Sequence, residues 1–368
     1  MVIYLLYPLR KYFFAFNLFG YVTFRVAGAA ITAFLISVVF GPSIIRRLKK
    51  AQVIENTRKT DSERLSEIQK VKSETPTMGG LLILLAIISS AIIWADPLNY
   101  YVLLGIFIVL GLGVIGYADD LIKLRPTEEQ GLPRKLKLLL ETLLGLSLAF
   151  LLWYYVRETE FGTKLSLPFR AENYQDYIEL GFLYFILVTI VIVGTSNAVN
   201  LADGLDGLAI GCVIMVALGF AVVSYVAGHY KFSHYLLVPF VRGASEMSIF
   251  SASIAGAGLG FLWFNCHPAQ VFMGDVGALP LGGAIGYISV VARQEFLLFF
   301  IGGVFVLEAI SVILQVASYR LTRKRIFRIA PLHHHFQFKG WPESKITARF
   351  WILSAVCAAI GVASLKLR

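Results

Sequence analysis

Apolar stretches long enough to cross a lipid bilayer recur along almost the whole of this 368-residue chain, and they constrain its fold more than any other feature. A transmembrane helix needs about 20 predominantly apolar residues. Hydrophobic residues make up 57% of the chain and charged residues only 15%, whereas soluble domains carry roughly 25% charged residues. The sequence therefore predicts an all-α integral membrane protein.

The spacing of these stretches predicts about ten transmembrane helices in a single polytopic domain covering residues 1–368. The predicted spans are 22–45, 77–95, 101–119, 137–157, 178–197, 207–227, 248–265, 277–292, 296–319 and 347–366. The first twenty residues are rich in aromatic side chains, and we expect them to lie at the membrane interface or to extend the first span.

Lys and Arg are distributed unevenly among the segments that join the spans. Segments 46–76, 119–137 and 320–349 hold 22 of the 33. Because cytoplasmic loops of membrane proteins carry an excess of these residues, the joints after odd-numbered spans are predicted to be cytoplasmic. The same rule accounts for the net charge of +10. With no large soluble domain to bind a nucleic acid, the sequence predicts no nucleic-acid partner.

The polar residues that this rule does not explain also fall on the predicted cytoplasmic joints. Asp119 and Asp120 end the third span, and further acids, amides and histidines end or follow the fifth, seventh and ninth spans. These are Asn197, Asn200, Asp203, Asp206, Asn265, Asp275, His333, His334 and His335. A single aspartate at a helix end is usually a cap or a solvated residue. Five on one face between apolar helices instead predict a cavity, a charged partner or a metal.

Two of these aspartates lie among glycines. Asp203 and Asp206 are three residues apart, so on a helix they would share a face. Gly204 and Gly207 would let a ligand approach the backbone closely, although glycine is also expected wherever a helix end is loosened.

Three other features have structural as well as functional interpretations. The glycine-rich run 256–260 is expected to let helices pack closely. The pair Cys266–His267 could ligate a metal, but an isolated pair usually does not. The triplet His333–His335 is a poor single-metal site, because consecutive residues on a helix point about 100° apart. Its expected use is proton handling or contact with phosphate.

The collected carboxylates indicate a particular chemistry. Carboxylates that face one space repel each other unless a cation lies among them, and a few carboxylates together with substrate phosphates form a typical Mg²⁺ site. A magnesium ion with Lys and Arg nearby stabilises the charge that develops in phosphoryl transfer. At a membrane surface, one substrate can arrive from the cytosol and the other from the lipid.

Five segments carry a resemblance to a known family. They are PTMGG at 76–80, YADD at 117–120, NAVNLADGLDG at 197–207, FMGDVG at 272–277 and PLHHHFQFKGWPESKITARFW at 331–351. In this order, along nearly the whole chain, they closely resemble the phospho-N-acetylmuramoyl-pentapeptide transferase (MraY) family. That family belongs to the polyprenyl-phosphate N-acetylhexosamine-1-phosphate transferase superfamily. The finer assignment depends on the histidine triplet and the GWPESK segment, since N-acetylglucosamine-specific relatives carry a differently spaced histidine motif.

The resemblance implies a fold and an activity. Members of this family transfer phospho-MurNAc-pentapeptide from its UDP carrier to undecaprenyl phosphate, which releases UMP and makes lipid I for peptidoglycan. The family has ten transmembrane helices, a broken ninth helix that leans into the bilayer, a Mg²⁺ cofactor and usually a homodimeric state. The implied location is the bacterial cytoplasmic (inner) membrane, with the active site facing the cytoplasm.

The resemblance also implies roles for individual residues. By motif position, Asp275 matches the residue that holds Mg²⁺, and Asp119 and Asp120 match the pair assigned to catalysis and to lipid-phosphate or metal contacts. His333, His334 and His335 match catalytic positions around the diphosphate and sugar. Positions that match the substrate pocket are Lys72, Thr77, Asn200, Asp203, Gly204, Asp206, Asn265, Phe272 and Gln315, with Phe272 stacking on the uracil.

Two questions stay open at this point. The lipid phosphate could attack the UDP-sugar directly, or an aspartate could attack first and form a phospho-enzyme. Direct attack is favoured, because a phosphate monoester has its second pKa near 6 and needs little help to ionise. Two other functions are also considered. One is a UDP-N-acetylglucosamine transferase of the same fold, and the other is an ion-coupled transporter, which would need acids near mid-bilayer rather than at one face.

Overall fold

The computed structural model describes residues 1–53, 75–124, 131–157, 159, 162–167 and 177–366, and this part of the chain is almost entirely helical. The helices are α1 (Val2–Leu5), α2 (Val22–Lys50), α3 (Gly80–Trp94), α4 (Tyr100–Lys123), α5 (Arg134–Val156), α6 (Leu183–Ala202), α7 (Leu208–Ala227), α8 (Tyr230–Leu236), α9 (Glu246–Asn265), α10 (Asp275–Val291), α11 (Leu297–Ile301), α12 (Gly303–Thr322), α13 (Leu332–Phe338) and α14 (Glu343–Ala363). Short 3₁₀ helices cover Tyr7–Lys11, Phe14–Gly20 and Ser364–Lys366, and strands β1 (Lys164–Leu165) and β2 (Ile178–Glu179) pair antiparallel. The predicted all-α membrane architecture is confirmed.

Within the described ranges, eight helices are long and apolar enough to cross a membrane, and α3 and α10 are shorter apolar helices of 15 and 17 residues. Together they correspond to the ten predicted spans. The ninth span is interrupted at Gly302, which separates α11 from α12. At 1.5 Å per residue, α3 is only about 22 Å long, less than the ~30 Å hydrocarbon core.

Two boundaries differ from the predicted spans for identifiable reasons. Helix α4 continues to Lys123 rather than ending at 119, because Lys123 pairs with Asp119 one turn earlier at 2.7 Å and so supports a further helical turn. Helix α6 begins at Leu183 rather than 178, because Ile178 pairs with Leu165 in the short β1–β2 ladder.

Small residues bring the central helices into close contact. A methyl group at Gly256 of α9 would collide with the carbonyl oxygen of Ala30 in α2, and one at Gly260 would meet the Ser37 side chain. The glycine-rich run therefore packs α9 against α2, as predicted.

The packing around α10 determines where the polar residues meet. A methyl group at Gly116 of α4 would collide with the Asp275 carbonyl, and one at Gly80 of α3 would collide with the Gly277 backbone. The last turn of α4 and the first turns of α3 and α10 therefore meet at one end of the bundle.

A buried ion pair lies at the opposite end. The Arg25 guanidinium donates to both carboxylate oxygens of Glu246, over 2.8 and 2.9 Å, and to the Trp94 carbonyl. Glu246 also accepts from the backbone N–H of Asp96 at 2.7 Å. These contacts join the start of α2, the end of α3 and the start of α9.

Candidate active site

Three aspartates that the sequence places far apart meet where α4 ends and α10 begins. Asp119, Asp120 and Asp275 are all buried, and each offers a carboxylate oxygen within 4.8 Å of the others. The turn before α10 depends on Gly274, whose φ of +72° lies in the left-handed region that favours glycine. Asp120 Oδ2 accepts from the backbone N–H of Val276 at 3.1 Å, so this carboxylate caps the first turn of α10.

Two lysines face this acid cluster. Lys123 lies one turn beyond Asp119 on α4, and its Nζ is 2.7 Å from Asp119 Oδ2 and 3.0 Å from Asp275 Oδ2. Lys137, in the first turn of α5, has its Nζ 2.5 Å from Asp275 Oδ2 and 3.7 Å from Asp119 Oδ2. The lysine side chains are 27% and 16% exposed and the aspartates 10% or less, so the ammonium groups lie between the carboxylates and the solvent.

The charges of this group do not cancel. Three carboxylates face two ammonium groups, which leaves one excess negative charge in a buried place if all are ionised. Closely spaced carboxylate oxygens are the ligands that Mg²⁺ prefers, with phosphate oxygens and water completing its coordination. The donor set and its spacing of 4.8 Å or less therefore fit a magnesium ion held by Asp275 with Asp119 and Asp120.

The segment that precedes α3 forms the next part of the site. Phe272 N donates to the Pro76 carbonyl at 2.8 Å, and Gly79 N donates to the Phe272 carbonyl at 2.8 Å. This backbone pairing holds the buried side chain of Thr77 beside Gly274, next to Asp120. Phe272 is half-buried, immediately before the acid cluster.

The joint between α6 and α7 departs from the helical geometry considered for Asp203 and Asp206. Helix α6 ends at Ala202, and Gly207 has a φ of +73°, so the two aspartates lie in a turn and do not share a helix face. Asp203 is half-buried, with its N–H donating to the Asn200 carbonyl at 3.2 Å. Because Gly207 adopts a left-handed backbone conformation, the three-residue spacing of Asp203 and Asp206 does not place them on one helix face.

Asp206 is the centre of a buried network. Its Oδ2 lies 2.9 Å from His267 Nδ1 and accepts from Ala269 N at 3.2 Å, and its backbone N–H donates to Glu343 Oε1 at 2.7 Å. Asp206, His267 and Glu343 are close enough to hold a cation, but these contacts already connect three segments of the chain. The thiol of Cys266 is directed to the Trp263 carbonyl, so the Cys266–His267 pair does not converge on one point.

Asn265 connects this network to the acid cluster. Its Oδ1 accepts from Gly207 N at 3.1 Å and its Nδ2 donates to the Val271 carbonyl at 2.8 Å, so the buried side chain holds the α6–α7 joint against the loop that leads to Phe272. Asn200 is half-buried at the end of α6. One turn earlier, Asn197 donates to the buried carboxylate of Glu141 at 2.5 Å.

The three histidines lie on α13, where the rings of His333 and His334 contact each other and both approach Gly204. His333 is fully buried and packs on Gly204, where any added side chain would collide with its Nε2. The Nδ1 of His334 is 3.0 Å from Gln337 Oε1. The Nδ1 of His335 accepts from Arg328 N at 3.1 Å. The triplet thus brings α13 onto the α6–α7 joint.

In this conformation the side chain of Gln315 forms hydrogen bonds with the backbone of the segment after α12. Its Oε1 accepts from the backbone N–H groups of Ile326 and Phe327 at 3.1 and 2.9 Å, and its Nε2 donates to the Phe327 carbonyl. The side chain therefore holds the segment after α12 in place. Lys72 lies outside the described residues.

The sequence does not predict several charged residues of this region as site residues, among them Glu343 in the Asp206 network. Lys123 and Lys137 were assigned to the charge distribution of cytoplasmic loops, although the spacing of Lys123 from Asp119 and Asp120, four and three residues along one helix, was a usable signal. Glu141 and Glu308 are isolated acids in apolar stretches, and such acids commonly mark functional sites.

The fold and the site together define a class of protein. A multi-pass helical membrane protein with clustered carboxylates and facing lysines has the groups that phosphoryl transfer requires, namely candidate metal ligands and positive charge. The profile of glycosyl transferase family 4 matches residues 101–293, more than half of the chain, and signature 1 of the phospho-N-acetylmuramoyl-pentapeptide transferases matches residues 72–84.

The chain therefore belongs to the MraY-type family of polyprenyl-phosphate hexosamine-1-phosphate transferases. It is a phosphosugar transferase that acts on a polyprenyl phosphate. The acid cluster lies within the residues that the family profile covers.

Proposed function

We propose that the protein transfers phospho-MurNAc-pentapeptide from UDP-MurNAc-pentapeptide to undecaprenyl phosphate, giving lipid I and UMP, with Mg²⁺ as cofactor. The observation that carries this proposal is the convergence of Asp119, Asp120 and Asp275 with Lys123 and Lys137 at one end of the bundle. The match to the muramoyl-pentapeptide transferase signature supports the choice of sugar.

The proposed reaction exchanges one phosphoanhydride partner for another. An oxygen of the lipid phosphate bonds to the β-phosphorus of the UDP-sugar, and the bond from that phosphorus to the oxygen bridging to the α-phosphorus breaks. UMP leaves with the electron pair of that bond. Because a phosphate monoester is mostly dianionic at pH 7, the attack needs no strong base, and a direct single displacement is sufficient.

The residues of the chain have separate roles in this proposal. Asp275, with Asp119 and Asp120, would hold Mg²⁺, which when bound supplies positive charge to the diphosphate oxygens. Lys123 and Lys137 place two further positive charges where negative charge accumulates on the transferred phosphoryl group. Asp119 additionally faces the lipid phosphate and takes up any proton that it still carries.

The nucleotide pocket is proposed on the side of the acid cluster opposite the lipid phosphate. Phe272 stacks on the uracil, and Lys72, Thr77, Asn200, Asp203, Gly204, Asp206 and Asn265 line the pocket. Gln315 and the histidines of α13 are assigned to the diphosphate and sugar by motif position, and Gln315 would have to exchange its bonds to Ile326 and Phe327 for the substrate. The hydrogen bonds that join the 76–80 segment, the loop before α10 and the α6–α7 joint support one continuous pocket.

The setting of the enzyme is also part of the proposal. The protein acts as a homodimer in the bacterial cytoplasmic membrane, with the acid cluster facing the cytoplasm. The concentration of Lys and Arg in the joints at this end of the bundle supports that orientation.

The direct test uses the purified protein in lipid nanodiscs. UMP release is measured with undecaprenyl phosphate and either UDP-MurNAc-pentapeptide or UDP-N-acetylglucosamine, with and without Mg²⁺. The expected result is UMP release only with the muramoyl donor, the lipid and Mg²⁺ together. Release of UMP from the N-acetylglucosamine donor at an equal or greater rate would contradict the proposed substrate.

A further inference from the structure

Glu308 is a carboxylate in an otherwise apolar helix. It lies in α12, whose exposed side chains include Leu307, Ile310 and Ile313, yet its own side chain is 0% exposed. Burying an ionisable group inside a membrane helix is costly unless the group is paired and hydrogen-bonded. The partners of Glu308 therefore indicate its use.

Within the described ranges, the side chain of Glu308 pairs with residues of α13. Oε2 accepts from Leu332 N at 2.8 Å, and Oε1 accepts from His333 N at 3.2 Å. These N–H groups belong to the first turn of α13, where backbone N–H groups have no acceptor within the helix. Glu308 thus anchors the start of α13 to α12.

The same carboxylate also faces the ring of His333. Glu308 Oε1 is 3.3 Å from His333 Nδ1, and both side chains are fully buried. This approach falls short of a hydrogen bond, but because a carboxylate only accepts, its position favours the imidazole tautomer with the proton on Nδ1. The other two histidines have neutral partners at Nδ1, the Gln337 side chain for His334 and the Arg328 backbone for His335.

The remaining nitrogen of His333 points away from Glu308. Within the described part of the chain neither ring nitrogen of His333 makes a hydrogen bond, although both are buried, and Nε2 lies against Gly204 in the α6–α7 joint. A buried imidazole nitrogen without a partner is costly unless a ligand supplies one. Gly204 is the one joint residue here whose lack of a side chain lets the ring approach its backbone.

We propose that Glu308 is a positioning residue of the transfer site, which holds His333 with Nδ1 toward the carboxylate and Nε2 directed at the polar oxygens of the bound UDP-sugar. This inference rests on the proposed function. Glu308 would act on the substrate only through the orientation and tautomer of the His333 ring.

A double-mutant cycle separates this role from a purely structural one. The variants Glu308→Gln, His333→Gln and the double variant are compared in nanodiscs for kcat and for KM of UDP-MurNAc-pentapeptide. Glu308→Gln is expected to lower kcat about 10–100-fold, the range for residues that orient a functional histidine, with little change in KM. In the His333→Gln background the same change should lower kcat less than about threefold, because its target is already absent.

The controls keep the outcome clear. Ser311→Ala, one turn further along α12, removes a hydroxyl that donates to the backbone carbonyl of Glu308 at 2.7 Å but leaves the Glu308 carboxylate in place, so it should leave kcat unchanged. Glu308→Asp keeps the charge on a shorter side chain and should give an intermediate loss that also disappears in the His333→Gln background. The folded fraction of each variant is measured by size-exclusion chromatography and thermal unfolding, so kcat refers to folded protein.

Two results would overturn the inference. One is an equal fold-loss from the Glu308 substitutions in both backgrounds, which would make Glu308 a structural anchor only. The other is a wild-type kcat in folded Glu308→Gln. Failure of the wild-type protein to release UMP in the same assay would instead contradict the proposed function.

Discussion

The two ends of the helical bundle both bury charged side chains, but they balance the charges in different ways. At one end Arg25 and Glu246 form a one-to-one pair with two hydrogen bonds of 2.8 and 2.9 Å. At the other end the three aspartates of the acid cluster share two lysines that are partly exposed. A neutral ion pair with both charges matched joins helices. In the acid cluster the carboxylates outnumber the lysines, so a metal cation can bind the aspartates while the lysine ammonium groups bind substrate phosphates.

The largest effect is expected at the closed end, and it should fall on stability. Glu246→Ala leaves the Arg25 guanidinium buried with no carboxylate, so it should lower the free energy of unfolding by about 3–5 kcal/mol. Turnover per folded molecule should stay within about twofold, because the ion pair and the acid cluster lie at opposite ends of the bundle. Chemical unfolding of the detergent-solubilised protein measures the first effect and UMP release the second.

The matched control removes both charges. Replacing Arg25 and Glu246 together by Met should recover most of the lost stability, since apolar side chains of similar volume can replace a buried pair. A large fall in turnover of folded Glu246→Ala would show that the two ends are not independent.

At the open end, the effect should fall on turnover. Asp119→Asn should reduce kcat about 10²–10³-fold, as expected when one group that organises transition-state charge is removed. Under direct attack the residual activity should rise between pH 5 and pH 8, because the lipid phosphate, with a second pKa near 6, ionises without help. The measurement is a pH profile of UMP release by the variant.

A covalent route through Asp119 has a different signature. The variant would be inactive at every pH, and the wild-type enzyme would release a burst of UMP from the UDP-sugar alone, equal to the enzyme concentration. Both observations together would replace direct attack by a two-step mechanism.

The smallest expected effect concerns the nucleotide pocket next to the acid cluster. If Phe272 stacks on uracil, Phe272→Ala should weaken binding of the UDP-sugar by about 1–3 kcal/mol, the range for a base stacked on an aromatic ring. Affinity for undecaprenyl phosphate should not change. Calorimetric titration of both substrates distinguishes this result from an equal loss for both, which would indicate a general collapse of the site.

The sequence predicted the acid cluster because helix parity is a simple geometric rule. Each span reverses the direction of the chain, so Asp119, Asp120 and Asp275 had to lie at one end once the spans were counted. Their distances of 4.8 Å or less depended on the close packing of Gly116 against α10, which is a long-range contact that no local pattern encodes.

The missed features have a common physical cause. The pairing of Phe272 with Pro76 joins backbone groups that are far apart in the chain, and side-chain patterns carry no signal for it. Lys123 and Lys137 lie among basic residues that the excess of Lys and Arg in cytoplasmic loops already explains, so their charge gives no separate signal. The spacing of Asp203 and Asp206 fits one face of a helix, but Gly207 adopts a left-handed conformation, so the two aspartates lie in a turn. The role of Lys72 stays a prediction.

The most direct test of the proposed metal site compares one aspartate from each end of the bundle. Asp275→Asn removes a charge from the acid cluster, and Asp96→Asn removes one near the Arg25–Glu246 pair, where Asp96 Oδ1 accepts from Tyr4 and Leu98 N. Mn²⁺, which accepts the same oxygen ligands as Mg²⁺, is titrated by electron paramagnetic resonance alongside UMP release. Asp275→Asn is expected to lose both tight Mn²⁺ binding and turnover while remaining folded, and Asp96→Asn is expected to keep both. Wild-type Mn²⁺ binding and turnover in Asp275→Asn would contradict the assignment of the acid cluster as a metal site.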